Sequence, residues 1–317
     1  MHPKSDAVRI SDTMKPTDLE SRVSSLSLAV SSTLFALLAA ALVWAYWPGL
    51  AEIVAAWNRD PDYSHGYIVM PIALYFLWSR REQLQVERLA PSWGGVVLLS
   101  LVAVVRYYSG KFYLGPVDAW SIPLALGGIV LLCFGRQCFR WCLPSVAFLY
   151  FMIPLPYSAE TWLSVPLQRI ATGLSTEMLQ LIGIPALAEG NVIWIGERPL
   201  MVAEACSGLR ILVGIFALAF AFVLFSGWAW WQKVAVVLAA VPVAILANSL
   251  RIVVTALLQE MVSGEVAHRF SHDLAGFVMI PLAGFLFWAV LAYLDRLFPV
   301  HEVMTSAAVV KASRKGR

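Results

Sequence analysis

The sequence predicts an all-α polytopic membrane protein with about eight transmembrane helices, and two observations lead to this fold class. Of the 317 residues, 60% are hydrophobic and only 14% are charged, whereas a soluble domain carries about 25% charged residues. The apolar residues also fall in blocks of roughly 20, the length that an α-helix needs to cross ~30 Å of hydrocarbon. The composition therefore excludes an ordinary soluble domain.

Eight blocks of the sequence have the length and apolar content of membrane spans. They cover approximately residues 26–47, 65–79, 93–110, 118–135, 141–155, 205–226, 232–258 and 272–294. Residues 1–24 are polar and mixed in charge, which predicts a disordered cytoplasmic tail. Residues 25–296 then form a single transmembrane domain, and residues 297–317 form a basic cytoplasmic tail.

The positive charges predict which side of the membrane each connecting segment faces. With the N-terminus inside, fifteen Lys and Arg residues fall in cytoplasmic segments and six fall in outer segments. Because cytoplasmic segments are enriched in positive charge, we expect both tails to be cytoplasmic. Arg210 and Arg251 remain inside predicted spans.

The longest outer segment, residues 156–204, carries two predicted elements. Residues 158–184 are amphipathic, which indicates a helix that lies on the outer leaflet or dips into it. In residues 186–205, glycines, Asn191 and Pro199 interrupt short β-branched stretches. This pattern predicts a small β-hairpin over the helical bundle.

Three reactive side chains meet at the outer face in this topology. Cys206 begins the sixth span from outside, Arg251 lies in the outer half of the seventh, and His272 begins the eighth. Each has a structural interpretation as well: an inert small hydrophobe, an interfacial arginine and a helix-entry residue. Their convergence at one level favours a functional site.

The neighbours of these three residues strengthen the functional interpretation. Cys206 lies in the first turn of a predicted helix, where free N–H groups and the helix dipole favour a thiolate. Arg210 follows four positions later. It either forms an ion pair with Glu204 or with a loop, or it binds the substrate. Asn248 lies one turn before Arg251 on the same face. The remaining cysteines are interpreted as inert, with no metal site predicted: Cys133, Cys138 and Cys142.

A cysteine, a histidine and an arginine around one point suit acyl transfer. The thiolate attacks a carbonyl, the histidine moves a proton, and the guanidinium stabilises negative charge or positions the substrate. Neither a cofactor nor nucleic acid is expected as a partner of this chemistry.

The motifs resemble those of the exosortase/archaeosortase family of membrane transpeptidases. DPDYSHGYIVMPIALYFLWSRR (60–81) resembles its SHG segment, and residues 151–195 resemble its central P-L-P…G-N stretch. VAEACSGLR, ANSLRI and SHDLAG resemble its cysteine, N-x-x-R and H-x-x-x-G motifs. The resemblance implies catalytic roles for Cys206, Arg251 and His272, with Arg210, Asn248 and Glu204 supporting or binding substrate.

The resemblance also implies a substrate and a location. The protein is expected to act as a cysteine peptidase and transpeptidase in the bacterial inner membrane, with its active site facing the periplasm. Its partners would be membrane lipid and exported proteins that end in a Pro-Glu-Pro-type signal, an apolar helix and a basic tail. Cleavage would pass through a thioester, which an acceptor amine resolves.

Two other functions remain open from the residues alone. Intramembrane Arg and Asn side chains can line the polar path of a transporter or channel. An envelope-polysaccharide assembly factor would use the same fold without thiol chemistry. The grouping of polar residues near one face, rather than at several depths, favours a site that opens at the surface.

Overall fold

The computed structural model describes residues 16–60, 63–85, 89–202, 208–261 and 275–298. The chain is mostly helical and divides into two compact units. The first comprises Met1–Arg59 and Gly66–Pro154, and the second comprises Asp60–His65 and Leu155–Arg317.

Five α-helices form the described part of the first unit. They are α1 (Pro16–Ala45), α2 (Trp47–Arg59), α3 (Gly66–Ser79), α4 (Gly94–Lys111) and α5 (Gly115–Phe148). Single 3₁₀ turns follow α3 at Arg81–Gln83 and α5 at Leu149–Met152. Helix α2 was not predicted from the sequence, whereas the others correspond to the first five predicted spans.

Helix α5 contains two of the predicted spans, separated at Gly135. That residue has a φ of 82° and a ψ of −172°, values outside the helical range. A Cβ at Gly135 would lie 1.8 Å from the carbonyl oxygen of Ala90, so only glycine fits there. The two halves pack against each other, since a Cβ on Gly127 would lie 3.0 Å from Phe139 Cε2. The expected loop between these spans is therefore a single residue.

The second unit contains four α-helices and a sheet among its described residues. The helices are α6 (Tyr157–Leu181), α7 (Leu209–Phe225), α8 (Trp230–Met261) and α9 (Ala275–Leu297). The strands are β1 (Ala186–Glu189), β2 (Val192–Ile195) and β3 (Arg198–Met201).

The small sheet has one strand more than the predicted hairpin. Its strands pair antiparallel in the order β1-β2-β3, with Ile193 opposite both Ala188 and Leu200. Each two-residue turn begins with a glycine at positive φ, 62° at Gly190 and 59° at Gly196. Positive φ is the conformation that tight hairpin turns require and that glycine adopts without steric cost.

Helix α8 is the central element of the second unit. Its N-terminal half shares a buried apolar cluster with α7 and α9 that includes Ile215, Val243 and Phe287. Its C-terminal half packs with α6 and the sheet in a second cluster that includes Leu179, Ile193 and Ile252. The two clusters hold the end of α8 that carries Asn248 and Arg251.

Three stretches of the described residues are long and apolar enough to cross a membrane: Leu28–Ala45, Gly115–Met152 and Trp230–Leu258. Two shorter apolar helices, Gly66–Ser79 and Leu209–Phe225, accompany them. At 1.5 Å per residue the α5 stretch would exceed the ~30 Å of hydrocarbon if it were straight, which agrees with its division at Gly135. These apolar helices thus indicate that the chain is a multi-pass membrane protein.

Candidate active site

Helix α6 positions the sheet through two glutamine side chains. The Gln168 Oε1 accepts a hydrogen bond of 2.9 Å from Asn191 Nδ2, and Gln180 Nε2 donates to the carbonyl of Ala186 at 2.8 Å. The same helix contacts α8, because Ser175 Oγ donates to the carbonyl of Ser249 at 3.2 Å. The sheet and α8 are therefore held by one common helix.

The sheet in turn fixes the point where the chain leaves it. The N–H of Val202 donates to the carbonyl of Asn191 at 3.1 Å, and the Val202 side chain is fully buried. Residues 203–207 lie outside the described residues. The chain is described again at Gly208, the N-cap of α7.

Gly208 contacts α8 at the side chain of Asn248. Its φ of 70° lies in the left-handed region, and a Cβ added to it would be 2.9 Å from Asn248 Nδ2 and 3.3 Å from Asn248 Cγ. Glycine is required here for two reasons: the backbone conformation and the lack of space for a side chain. This contact joins the start of α7 to the C-terminal half of α8.

The Asn248 side chain is 2% exposed, and neither Nδ2 nor Oδ1 has a hydrogen-bond partner among the described residues. A buried amide without a partner costs free energy of about 1–3 kcal/mol. Buried polar groups without a hydrogen-bond partner are uncommon in folded proteins, so each requires an explanation. By contrast, the neighbouring Ser249 is satisfied, because its Oγ donates to the carbonyl of Ile245.

Arg251 lies three positions after Asn248, so the two side chains share a face of α8. The arginine is partly buried, and its Nε is a buried donor from which no described residue accepts a hydrogen bond. Arg210 lies in the first turn of α7 and is also partly buried. The end of the α7–α8 pair thus carries two arginines and one amide.

Helix α9 begins beside the part of α8 that carries Arg251. Gln232 Nε2, near the start of α8, donates to the carbonyl of Phe298, just after α9, at 3.1 Å. Ala275 of α9 lies 23 positions before Phe298, and Thr255 of α8 lies 23 positions after Gln232. Because antiparallel helices rise equally per residue, the first residue of α9 is level with the turn of α8 that follows Arg251.

Three predicted site residues lie outside the described residues: Glu204, Cys206 and His272. Arg210, Asn248 and Arg251 are described, whereas the convergence of Cys206, Arg251 and His272 stays a prediction. No group of three His, Cys, Asp or Glu side chains in the described ranges could hold a metal ion.

The other three cysteines are distant in sequence from this group and lie on either side of Gly135. Cys133, Cys138 and Cys142 are free thiols, and all three are buried. Cys138 and Cys142 belong to an apolar cluster of the first unit that also contains Val130 and Val146. These contacts agree with the interpretation of the three as small core residues.

Tyr63, for which no sequence pattern predicts a role, lies against α6. Its hydroxyl lies 3.4 Å from Glu160 Oε2 and accepts a hydrogen bond of 3.3 Å from the N–H of Leu155. Burial, with the negative charge of Glu160 as a second cause, raises the pKa of Tyr63, so the hydroxyl stays protonated as a donor. The resemblance of residues 60–81 to the SHG segment indicates that this region matters, but it does not predict which residue Tyr63 contacts.

Comparison with known protein families shows to which family the chain belongs. The profile of the transmembrane exosortases matches residues 57–289, well over half of the sequence. This chain belongs to the transmembrane exosortase family. No curated protein and no solved structure matches it significantly.

The matched range of this exosortase contains all six predicted site residues, including the three outside the described residues. Membership implies exported proteins with sorting signals as substrates. The matched range therefore includes Gly208 and Asn248, which the fold brings into contact.

Proposed function

We propose that this exosortase is a membrane-embedded cysteine transpeptidase. It cleaves the C-terminal sorting signals of exported proteins through a thioester and transfers the product to an acceptor. The observation that carries the proposal is the contact between the N-cap of α7 and Asn248, with the unpartnered Nε of Arg251 one turn further along α8. Polar groups left without partners in an apolar bundle favour a ligand-binding role.

Covalent geometry limits the distance of the proposed nucleophile from this group. Cys206 precedes Gly208 by two positions, and two residues of extended chain span at most about 7 Å. His272 precedes Ala275, the first residue of α9, by three positions. Both residues are thus tethered to helix ends that flank Asn248 and Arg251.

The reaction requires a thiolate, a proton carrier and a fixed positive charge. His272 accepts the proton of the Cys206 thiol, and the sulfur then attacks the carbonyl carbon of the scissile peptide bond. The C–S bond forms as the carbonyl electrons move to oxygen. When they return, the C–N bond breaks, and His272 protonates the departing amine.

The thioester that remains is resolved by an acceptor amine. The amine attacks the thioester carbonyl and gives its proton to His272, and the Cys206 thiolate leaves and recovers a proton. Arg251 stabilises the negative charge of the thiolate and of the tetrahedral oxygen throughout, through the positive charge of its guanidinium. Arg210 and Glu204 support the site or contact substrate.

The excess of positive charge in the predicted inner segments supports an orientation with the site on the outer, periplasmic face of a bacterial inner membrane. There the substrate would present a Pro-Glu-Pro-type signal before an apolar helix and a basic tail. Such a helix would hold the scissile bond close to the membrane surface.

The proposal is tested by removing the thiol and following substrate processing. Membranes with wild-type protein, Cys206→Ala or Cys206→Ser are supplied with an exported substrate carrying the sorting signal, and cleavage is measured by mass spectrometry. Both variants are expected to insert normally and leave the substrate uncleaved. The matched control is Cys138→Ala, which removes a buried thiol of the first unit and is expected to retain processing. Unchanged processing in Cys206→Ala would favour an assembly factor without thiol chemistry.

A further inference from the structure

The amide of Asn248 is a buried polar group that the proposed mechanism does not use. Within the part of the chain that the structure describes, its Nδ2 and Oδ1 are both without partners, although the side chain is only 2% exposed. Ser249, the next residue, shows that this region can satisfy its polar groups within the helix. The unsatisfied amide therefore indicates a role that is completed only when a ligand is bound.

The Nδ2 atom faces the start of α7. It is the nearest atom to the position that a Cβ of Gly208 would occupy, at 2.9 Å, whereas Oδ1 is 3.7 Å away. The first N–H groups of any α-helix lack partners within the helix, and Gly208 provides no side-chain cap for them. The first intrahelical donor after Gly208 is the N–H of Leu212, which bonds the carbonyl of Gly208 at 3.0 Å.

The first-turn amides of α7 and the Asn248 amide group thus lie next to each other, at the contact between Gly208 and Asn248. Donors at a helix N-terminus attract negative charge, because the helix dipole adds to the hydrogen bonds. An oxygen that develops negative charge during acyl transfer is the group that such donors stabilise.

We infer that Asn248 Nδ2 and the first-turn N–H groups of α7 form the oxyanion site for the carbonyl oxygen of the scissile peptide bond. This assignment rests on the proposed function, since it requires acyl transfer at the adjacent Cys206. The amide adds no charge and transfers no proton. It donates a hydrogen bond that is strongest while the carbonyl electrons reside on oxygen, during both formation and breakdown of the thioester.

This role separates Asn248 from Arg251. The arginine carries a charge and acts on the thiolate as well as on the oxyanion, so its removal affects every reaction of the thiol. The asparagine is neutral and acts on the carbonyl oxygen, so its removal affects acyl transfer while leaving simple alkylation of the thiol unchanged.

The test compares these two reactions in full-length protein in membranes. Asn248→Leu keeps the same number of side-chain heavy atoms and removes both polar atoms, and Asn248→Ala removes the amide without adding bulk. Because the amide has no partner, its replacement by an apolar group is not expected to impair folding. Ser249→Ala is the matched control, since it removes a buried hydroxyl that bonds only the backbone of its own helix.

Two rates are measured for each variant: processing of a sorting-signal substrate, and alkylation of Cys206 by iodoacetamide followed by mass spectrometry. Loss of one oxyanion donor lowers the rate about 10²–10³-fold, so processing by both Asn248 variants is expected to fall by that factor. Alkylation should remain within about 2-fold of wild type, because it creates no oxyanion. Ser249→Ala should match wild type in both rates.

Processing that persists in Asn248→Leu would overturn the assignment. A parallel loss of processing and alkylation would also overturn it, since the residue would then support the thiolate or the fold. The Cys206→Ala variant tests the mechanism separately. If Cys206→Ala still processes the substrate, the acyl-transfer mechanism itself is wrong. If Cys206→Ala is inactive while the Asn248 variants process the substrate normally, only the oxyanion role is wrong.

Discussion

Asn248 lies against Gly208, 40 positions earlier in the chain, so closely that a Cβ on the glycine would be 2.9 Å from Asn248 Nδ2. The glycine also has a φ of 70°, which an L-residue with a side chain rarely adopts. One contact therefore links the start of α7, two positions after Cys206, to the face of α8 that carries Arg251.

Replacement of the glycine at this contact is expected to impair the protein. Gly208→Ala should lower the free energy of unfolding by about 1–2 kcal/mol through the left-handed conformation alone, and the new methyl group should displace the Asn248 amide. Substrate processing is then expected to fall by more than about 10-fold, because catalytic geometry tolerates little displacement.

The matched control is Gly214→Ala within the same helix. Gly214 has no atom within 4 Å of an added Cβ, and its φ is not positive. Alanine in a helix is favoured over glycine by about 1 kcal/mol, so this variant should be at least as stable as wild type and fully active. Thermal unfolding in detergent and a processing assay measure both effects. Equal behaviour of the two alanine variants would contradict the role of the Gly208 contact.

Arg251 is expected to require its guanidinium and not merely a positive charge. Arg251→Lys keeps the charge but loses the planar set of donors, including the buried Nε. We expect processing to fall about 10²–10³-fold, the cost of losing one donor to a developing oxyanion, with normal membrane insertion. Processing by purified membranes measures this loss, and a fully active lysine variant would remove the arginine from charge stabilisation.

The pH dependence of a histidine variant tests the proton carrier. Wild-type activity should level off once His272 loses its proton, near the ordinary histidine pKa of about 6.5. In His272→Ala we expect a loss of about 10²–10⁴-fold and a residual rate that rises toward pH 9, as the thiol ionises without a general base. Processing assays across pH 6–9 measure both profiles, and an unchanged profile in the variant would exclude His272 as the proton carrier.

The orientation of the chain is tested with reporter fusions at the sheet. Alkaline phosphatase fused after Glu189, where β1 ends, should be active because the positive-charge distribution predicts this segment outside. The same reporter fused after Arg81 should be inactive, with both fusions expressed at similar levels. An inactive reporter after Glu189 would contradict the orientation and the outward-facing site.

Helix positions were predictable from the sequence where apolar blocks approach the thickness of a membrane. The break in α5 was predicted correctly, because Arg136 and Arg140 interrupt the apolar run, although its form as one glycine was not. Helix α2 was missed because its 13 residues are too few to cross a bilayer. Strand β3 was missed because Pro199 argues against a strand, yet β3 is an edge strand, where proline is tolerated.

The candidate site was only partly predictable. The alternating direction of the spans predicts that Cys206, Arg251 and His272 converge on one face, and this stays a prediction because Cys206 and His272 lie outside the described residues. The close approach of Gly208 to Asn248 depends on the crossing of two helices, which no local pattern of residues specifies. The sequence likewise contains no signal that the Asn248 amide lacks partners, because this property depends on every surrounding group.

The covalent intermediate is the most direct test of the account. Membranes containing wild-type protein are mixed with a sorting-signal substrate, quenched rapidly and analysed by intact mass and peptide mapping, with hydroxylamine added to half of each sample. The account predicts a substrate adduct on Cys206 that hydroxylamine removes, and that is absent from Cys206→Ala. Substrate cleavage by wild-type protein without any adduct on Cys206, or with an equal rate in Cys206→Ala, would contradict it.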